Sequence, residues 1–217
     1  MKSRTRSRCR KSLDFEACEE RLLTALVFVL NGNTFAATGP NALTANAAAV
    51  LRGAGEHVIE LSTPTLATPA AFDRVVRQIA AVSHGQPIGL VGFSSGGVLA
   101  ARLAGVASLN VSAVLDYYGE PDLTLYLASH NNDTFARYVK SHVAFTQAGI
   151  NQFSGPSPAT SYVVCAFGLY DRNVVASFNT ATFPRDFHNG AVYVYAGGHG
   201  APISASPPAL ADFLRHL

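Results

Sequence analysis

A series of short, nearly unbroken apolar runs, separated by stretches of helical spacing, constrains this chain more than any other feature. The runs cover residues 26–30, 57–61, 88–92, 111–117, 162–167 and 191–195. A strand with one wet face alternates apolar and polar residues, whereas a strand covered on both faces need not. Between the runs, helical patterns occupy 41–53, 69–82 and 95–107, with a weaker one over 172–187. The chain closes on a helix for which Ser206 is the expected cap, with Pro207 and Pro208 in its first turn. Strand and helix in steady alternation predict an α/β fold: a doubly wound, mostly parallel sheet of about six core strands with helices on both faces. No internal repeat is visible.

Composition narrows the function classes. Charged residues make up 14% of the 217-residue chain, against a usual share of about 25%, so there is ample material for one buried core. The net charge of +2 is unevenly spread. Residues 1–11 hold six of the sixteen basic residues and no acid, leaving ten basic against fourteen acidic residues in the remainder. A mildly acidic body argues against a nucleic-acid partner. Cys9 and Cys18 lie in the N-terminal stretch and Cys165 in an apolar run, so three cysteines form no disulfide scaffold. No Cys/His cluster and no G-x-G-x-x-G loop is present, so neither a metal nor an organic cofactor is expected.

Residues 1–24 read as a leader or sorting segment ahead of a single domain at 25–217. The apolar run 22–30 is too short for a bilayer span, which needs about 20 residues, so no transmembrane segment is expected. The stretch Phe15-Glu-Ala-Cys-Glu-Glu-Arg21-Leu-Leu-Thr-Ala25 resembles a short sorting motif, L-E-x-R-x-L-L-S-A, found on exported and surface proteins of some bacteria. Cys18 replaces its first Leu, and one residue is missing after Arg21. The resemblance implies export or a cell-envelope location; without it the chain reads as cytoplasmic.

The chemistry begins at Ile88-Gly-Leu-Val-Gly92-Phe93-Ser94-Ser95-Gly96-Gly97. G-x-S-x-G alone is short enough to arise by chance, but here a strand pattern precedes it and a helix pattern follows. That context turns the strand so sharply into the helix that side chains at Gly92 and Gly96 would strike neighbouring backbone, leaving Ser94 displayed as a nucleophile at the sheet's carboxyl edge.

A serine nucleophile needs a base, and the base needs an acid to orient it. Of the seven histidines, only His199 follows the carboxyl end of a strand, in Tyr195-Ala-Gly-Gly-His199-Gly. His57 and His188 fall before strands, His84, His130 and His142 in helices or loops, and His216 on the terminal helix. Asp171 is the favoured acid because it follows the preceding strand; Asp116, Glu120 and Asp122 are its rivals. For the oxyanion hole, which needs two convergent backbone N–H donors, Ser95 is the expected first donor. Asn33 or Thr34, in the loop after the first strand, is the expected second.

With these residues in the order Ser…Asp…His, the chain resembles the α/β-hydrolase superfamily over nearly all of 25–217. The segment Ala113-Val-Leu-Asp-Tyr-Tyr-Gly119-Glu-Pro-Asp122 is similar to one in dienelactone-hydrolase-like and carbohydrate-esterase-like members. The chain departs from them in having Asn31-Gly32 where many members have His-Gly, and Ser94 where dienelactone hydrolases use Cys. The resemblance implies a serine hydrolase acting on small-molecule carboxylic esters or thioesters, with residues 121–152 as a small cap. A peptidase using the same three residues, or a non-catalytic surface or binding module on this fold, are the competing readings.

Overall fold

A computed structural model of the chain describes residues 24–32, 40–62, 69–119, 127–128, 136–137, 160–186 and 188–217. Its centre is a six-stranded sheet of β1 (Leu26–Leu30), β2 (His57–Leu61), β3 (Ile88–Phe93), β4 (Val111–Tyr117), β5 (Tyr162–Gly168) and β6 (Gly190–Tyr195). The spatial order is β2-β1-β3-β4-β5-β6, and every neighbouring pair is parallel. The described helices are α1 (Ala42–Gly53), α2 (Pro69–Ser83), α3 (Ser95–Leu103), α4 (Ala176–Asp186) and α5 (Pro207–Arg215), with a 3-10 turn at Ile203–Ala205.

The sheet separates two apolar layers, because successive strand side chains point to opposite faces. Leu26, Phe28, Leu90, Val114 and Cys165 pack with Val75 and Ile79 of α2, Leu99 and Leu103 of α3, and Phe183 of α4. Val27, Val29, Val91, Leu115 and Val164 pack with Ala47 and Leu51 of α1 and with Ala209 and Phe213 of α5. Each such apolar side chain, fully buried, is worth about 1.5–3 kcal/mol. The doubly wound architecture expected from the continuous apolar runs is therefore the one observed.

Helix boundaries differ from the sequence pattern for local reasons. α3 stops at Leu103 because the chain tightens into a turn in which Gly105 and Val106 N–H donate to Arg102 and Leu103 carbonyls. α4 starts only at Ala176 because the Asp171 side chain takes the N–H groups of Asn173 and Val174. α1 is capped by Asn41: its side chain accepts from Leu43 and Thr44, and Thr44 Oγ1 accepts from the Asn41 N–H. Ser206, by contrast, precedes α5 without a side-chain capping bond, and the prolines at its start set the helical φ instead. Among the described residues no helix is long and apolar enough to cross a membrane. Residues 1–23 and nearly all of 121–152, assigned above to a leader and a cap, lie outside the described residues.

Candidate active site

The strand order reverses at β1, which has β2 on one side and β3 on the other. The loops leaving β1 and β3 therefore diverge at the carboxyl edge, where open α/β sheets place ligands. β3 ends at Phe93, and Ser94 has φ 52° and ψ −127° before α3 begins at Ser95. A left-handed φ on a non-glycine residue is costly and persists only where the surroundings impose it. They do so here by close approach. A side chain at Gly92 would strike the backbone of Gly96, and one at Gly96 would strike the Asn31 carbonyl. Gly32, just past β1, packs so closely that a Cβ there would lie 3.2 Å from the Ser94 Cβ.

His199 follows β6, and Asp171 follows β5. Two backbone bonds staple these loops together: Leu169 N–H donates to the Tyr195 carbonyl and Tyr170 N–H to the Gly197 carbonyl. His199 Nδ1 lies 2.9 Å from Asp171 Oδ2 and Nε2 lies 3.0 Å from Ser94 Oγ. A carboxylate only accepts, so Nδ1 carries the proton and donates to Asp171, leaving Nε2 to accept from the Ser94 hydroxyl. Asp171 Oδ1 is occupied by the Asn173 and Val174 amides at 2.8 and 3.0 Å, which fix the carboxyl plane. The Asp171 side chain is fully buried, while that of His199 is 26% exposed, so the pair is held from below and open to substrate above. Ser95 opens α3, and its amide belongs to the positive amino end of that helix. Asn33 and Thr34, the expected second oxyanion donors, lie outside the described residues.

Asp116 does not reach His199. It sits inside β4, fully buried, accepting from the Gly119 N–H at 2.8 Å and facing the Cys165 thiol at 3.9 Å. Burial pushes its carboxyl up to about 7, against the pull of those two donors. Glu120 and Asp122 lie outside the described residues, as do His130 and His142. His57 opens β2, His84 follows α2 and His216 follows α5, all away from Ser94. Sequence reasoning missed one neighbour of the site. The Tyr118 ring packs on the His199 ring with centroids 4.6 Å apart. The signal was available, since Tyr118 is the first residue beyond the carboxyl end of β4. No group of residues able to hold a metal occurs among the described residues.

By sequence the chain matches no family model and no curated protein. By structure it is similar to acetyl xylan esterase 1 from Thermoanaerobacterium sp. at 13% identity and TM-score 0.62, over 88% of this chain and 74% of that one. It is also similar to the carboxylesterase Cest-2923 from Lactobacillus plantarum, at 20% identity and TM-score 0.60, over 88% and 79% of the two chains. A third similar structure is MGS-MChE2, an alpha/beta hydrolase enzyme from a lagoon-sediment metagenome, at 16% identity and TM-score 0.62, over 88% and 89%. The chain thus has the α/β-hydrolase fold.

Proposed function

We propose that this protein is a serine hydrolase that cleaves carboxylic esters of small acyl groups through an acyl-enzyme. The observation that carries the reading is the continuous hydrogen-bonded line from Asp171 through His199 to Ser94, ending on a strained turn at the sheet's switch point. On this reading Ser94 Oγ attacks the ester carbonyl while His199 Nε2 takes its proton, and Asp171 stabilises the imidazolium that results. The Ser95 amide and one from Asn33 or Thr34 hold the oxyanion. The imidazolium returns its proton to the leaving alkoxide. Water, activated by the same imidazole, then releases the acid and restores Ser94.

The esterase names of two of the similar structures favour oxygen esters over thioesters and peptides. The limit to small acyl groups rests on the sequence: 121–152, between β4 and β5, is the cap in this reading, and about 30 residues enclose a modest pocket. Each buried methylene contributes about 0.8 kcal/mol, so preference climbs over a few carbons and then stops. The leader-like residues 1–24 favour export, which fractionation of cells carrying the tagged full chain tests.

The deciding experiment is labelling with a fluorophosphonate, followed by kcat/KM across p-nitrophenyl esters. The expected result is one label, on Ser94, and faster cleavage of acetyl to butyryl than of octanoyl or longer esters. Absence of labelling and turnover would favour the non-catalytic reading. A rate still rising at dodecanoyl would replace the small pocket with a lipase-like groove.

A further inference from the structure

Among the described residues three groups surround the His199 ring: Asp171 on one nitrogen, Ser94 on the other, and the Tyr118 ring beside it. The backbone puts Tyr118 there at a cost. Its φ is 49°, a left-handed value for a bulky residue. Two bonds hold it in place. Tyr118 N–H donates to the Ala166 carbonyl at 2.8 Å, extending the pairing of β4 with β5. One residue on, Gly119 N–H donates to Asp116 Oδ1. The fit around that carboxyl is tight, since side chains at Gly97 and Gly119 would both collide with it. Asp116 therefore folds the chain back after β4 and turns the Tyr118 ring sideways across the sheet edge.

The Tyr118 hydroxyl is buried and makes no hydrogen bond among the described residues. Burial, with Tyr117 and Asp171 nearby, pushes its phenol far above the ordinary range, so it stays neutral. What the site uses is the ring. Its centroid stands 4.6 Å from that of His199, with the planes tilted by 54°, inside the distance of about 6 Å over which a cation is drawn to an aromatic ring.

We propose that Tyr118 is a positioning residue whose aromatic ring stabilises the imidazolium form of His199, and that Asp116 locks it in that place. This rests on the serine-hydrolase reading. On that reading the His199 ring gains positive charge as it takes the Ser94 proton, so a ring that attracts the cation acts on kcat more than on KM. Asp171 and the neutral Tyr118 are the titratable groups that face His199 among the described residues, and only Tyr118 is altered in the test.

The test uses the full chain with p-nitrophenyl acetate and four variants: Tyr118→Phe, Tyr118→Leu, Ser94→Ala, and pentafluorophenylalanine at position 118. Tyr118→Phe should stay within about twofold of wild type, because the hydroxyl makes no hydrogen bond among the described residues. The fluorinated ring keeps the shape but reverses the attraction. It should lower kcat about 3–10-fold with KM little changed and move the acid limb of the kcat/KM profile to lower pH. Tyr118→Leu should show the same direction; where it fails to fold, the fluorinated ring, nearly the size of Phe, decides. Equal kcat and equal pH limbs for the phenylalanine and fluorinated variants would overturn the proposal while leaving the serine-hydrolase reading intact, provided Ser94→Ala is inactive. Full turnover by Ser94→Ala would overturn both.

Discussion

The carboxyl edge of the sheet and the place where α5 crosses β5 and β6 are both polar, yet they are built in opposite ways. At the carboxyl edge the chain leaves β3 and β4 through left-handed residues that are not glycine, Ser94 and Tyr118. Among the described residues only His84, in an exposed turn after α2, shares that conformation. Each such residue costs about 1–3 kcal/mol. Under α5 the backbone is relaxed and the side chains converge instead. Tyr162 and Tyr193 hydroxyls and Arg215 all donate to the Asp212 carboxylate, and the His216 ring stacks on Tyr162 at 3.5 Å. On the proposed reading, strain concentrates at the edge that holds Ser94 and His199, and satisfied bonds concentrate where an element only has to stay docked.

The largest expected effect breaks the comparison at Ser94. Ser94→Ala should lower kcat/KM for p-nitrophenyl acetate by about 10³-fold or more, with Tm unchanged, because alanine inherits the same strained φ. Ser94→Gly should be equally inactive but more stable than Ser94→Ala by about 1 kcal/mol, because glycine adopts that backbone without penalty. Matching urea midpoints for the two variants would show that the elbow stores no strain.

The next effect is at Asp116, the buried carboxyl of the reactive edge. In the folded chain it keeps its proton up to about pH 7, whereas the unfolded chain releases it near pH 4. A raised carboxyl contributes stability at low pH that is lost as pH climbs from about 4 to 7, at most about 1.4 kcal/mol per unit. Asp116→Asn keeps an acceptor for Gly119 and does not titrate. Its stability relative to wild type should therefore rise by up to about 4 kcal/mol between pH 4 and 7.5. Urea unfolding at both pH values checks this, and a constant difference would mean that the buried carboxyl is hydrated.

How far this edge could be read from sequence depends on which signals are local. The runs at 26–30, 57–61 and 111–117 became strands with the same ends, because short, mostly apolar stretches between helical patterns suit a strand and are too short for a helix. Ser94, Asp171 and His199 were legible as residues that follow strand ends, and the hydrogen bonds joining them agree with that reading. What could not be read depends on long-range contact. The start of α4 is set by Asp171 capturing two amides, a bond invisible in a helical pattern. The meeting of Tyr118 with His199 joins positions 81 residues apart through the side-by-side order of β4, β5 and β6. By sequence Asp116 is a rival acid because it lies near the end of the strand before that of Asp171; only its orientation into the core, toward Gly119 and Cys165, removes it.

The smallest expected effect sharpens the comparison from the relaxed side. Burial alone would raise the Asp212 carboxyl, but Arg215 and the Tyr193 and Tyr162 hydroxyls outweigh it and hold it below its ordinary value. A depressed carboxyl contributes stability that is present above about pH 4 and lost as pH falls through its folded value. Asp212→Asn removes the charge opposite Arg215, but its amide can still bond the two tyrosine hydroxyls, so the loss should be partial. We expect about 1 kcal/mol at neutral pH, a fall in Tm of about 2–4 °C for a chain of this size. The deficit should vanish in acid, where the wild-type carboxyl is itself protonated. Because the Asp212 side chain bonds Tyr162, Tyr193 and Arg215 and none of Ser94, Asp171 and His199, kcat/KM should stay at the wild-type value. A variant that lost activity while its Tm held would show that the Asp212 network reaches His199, and that the two regions are not separate devices.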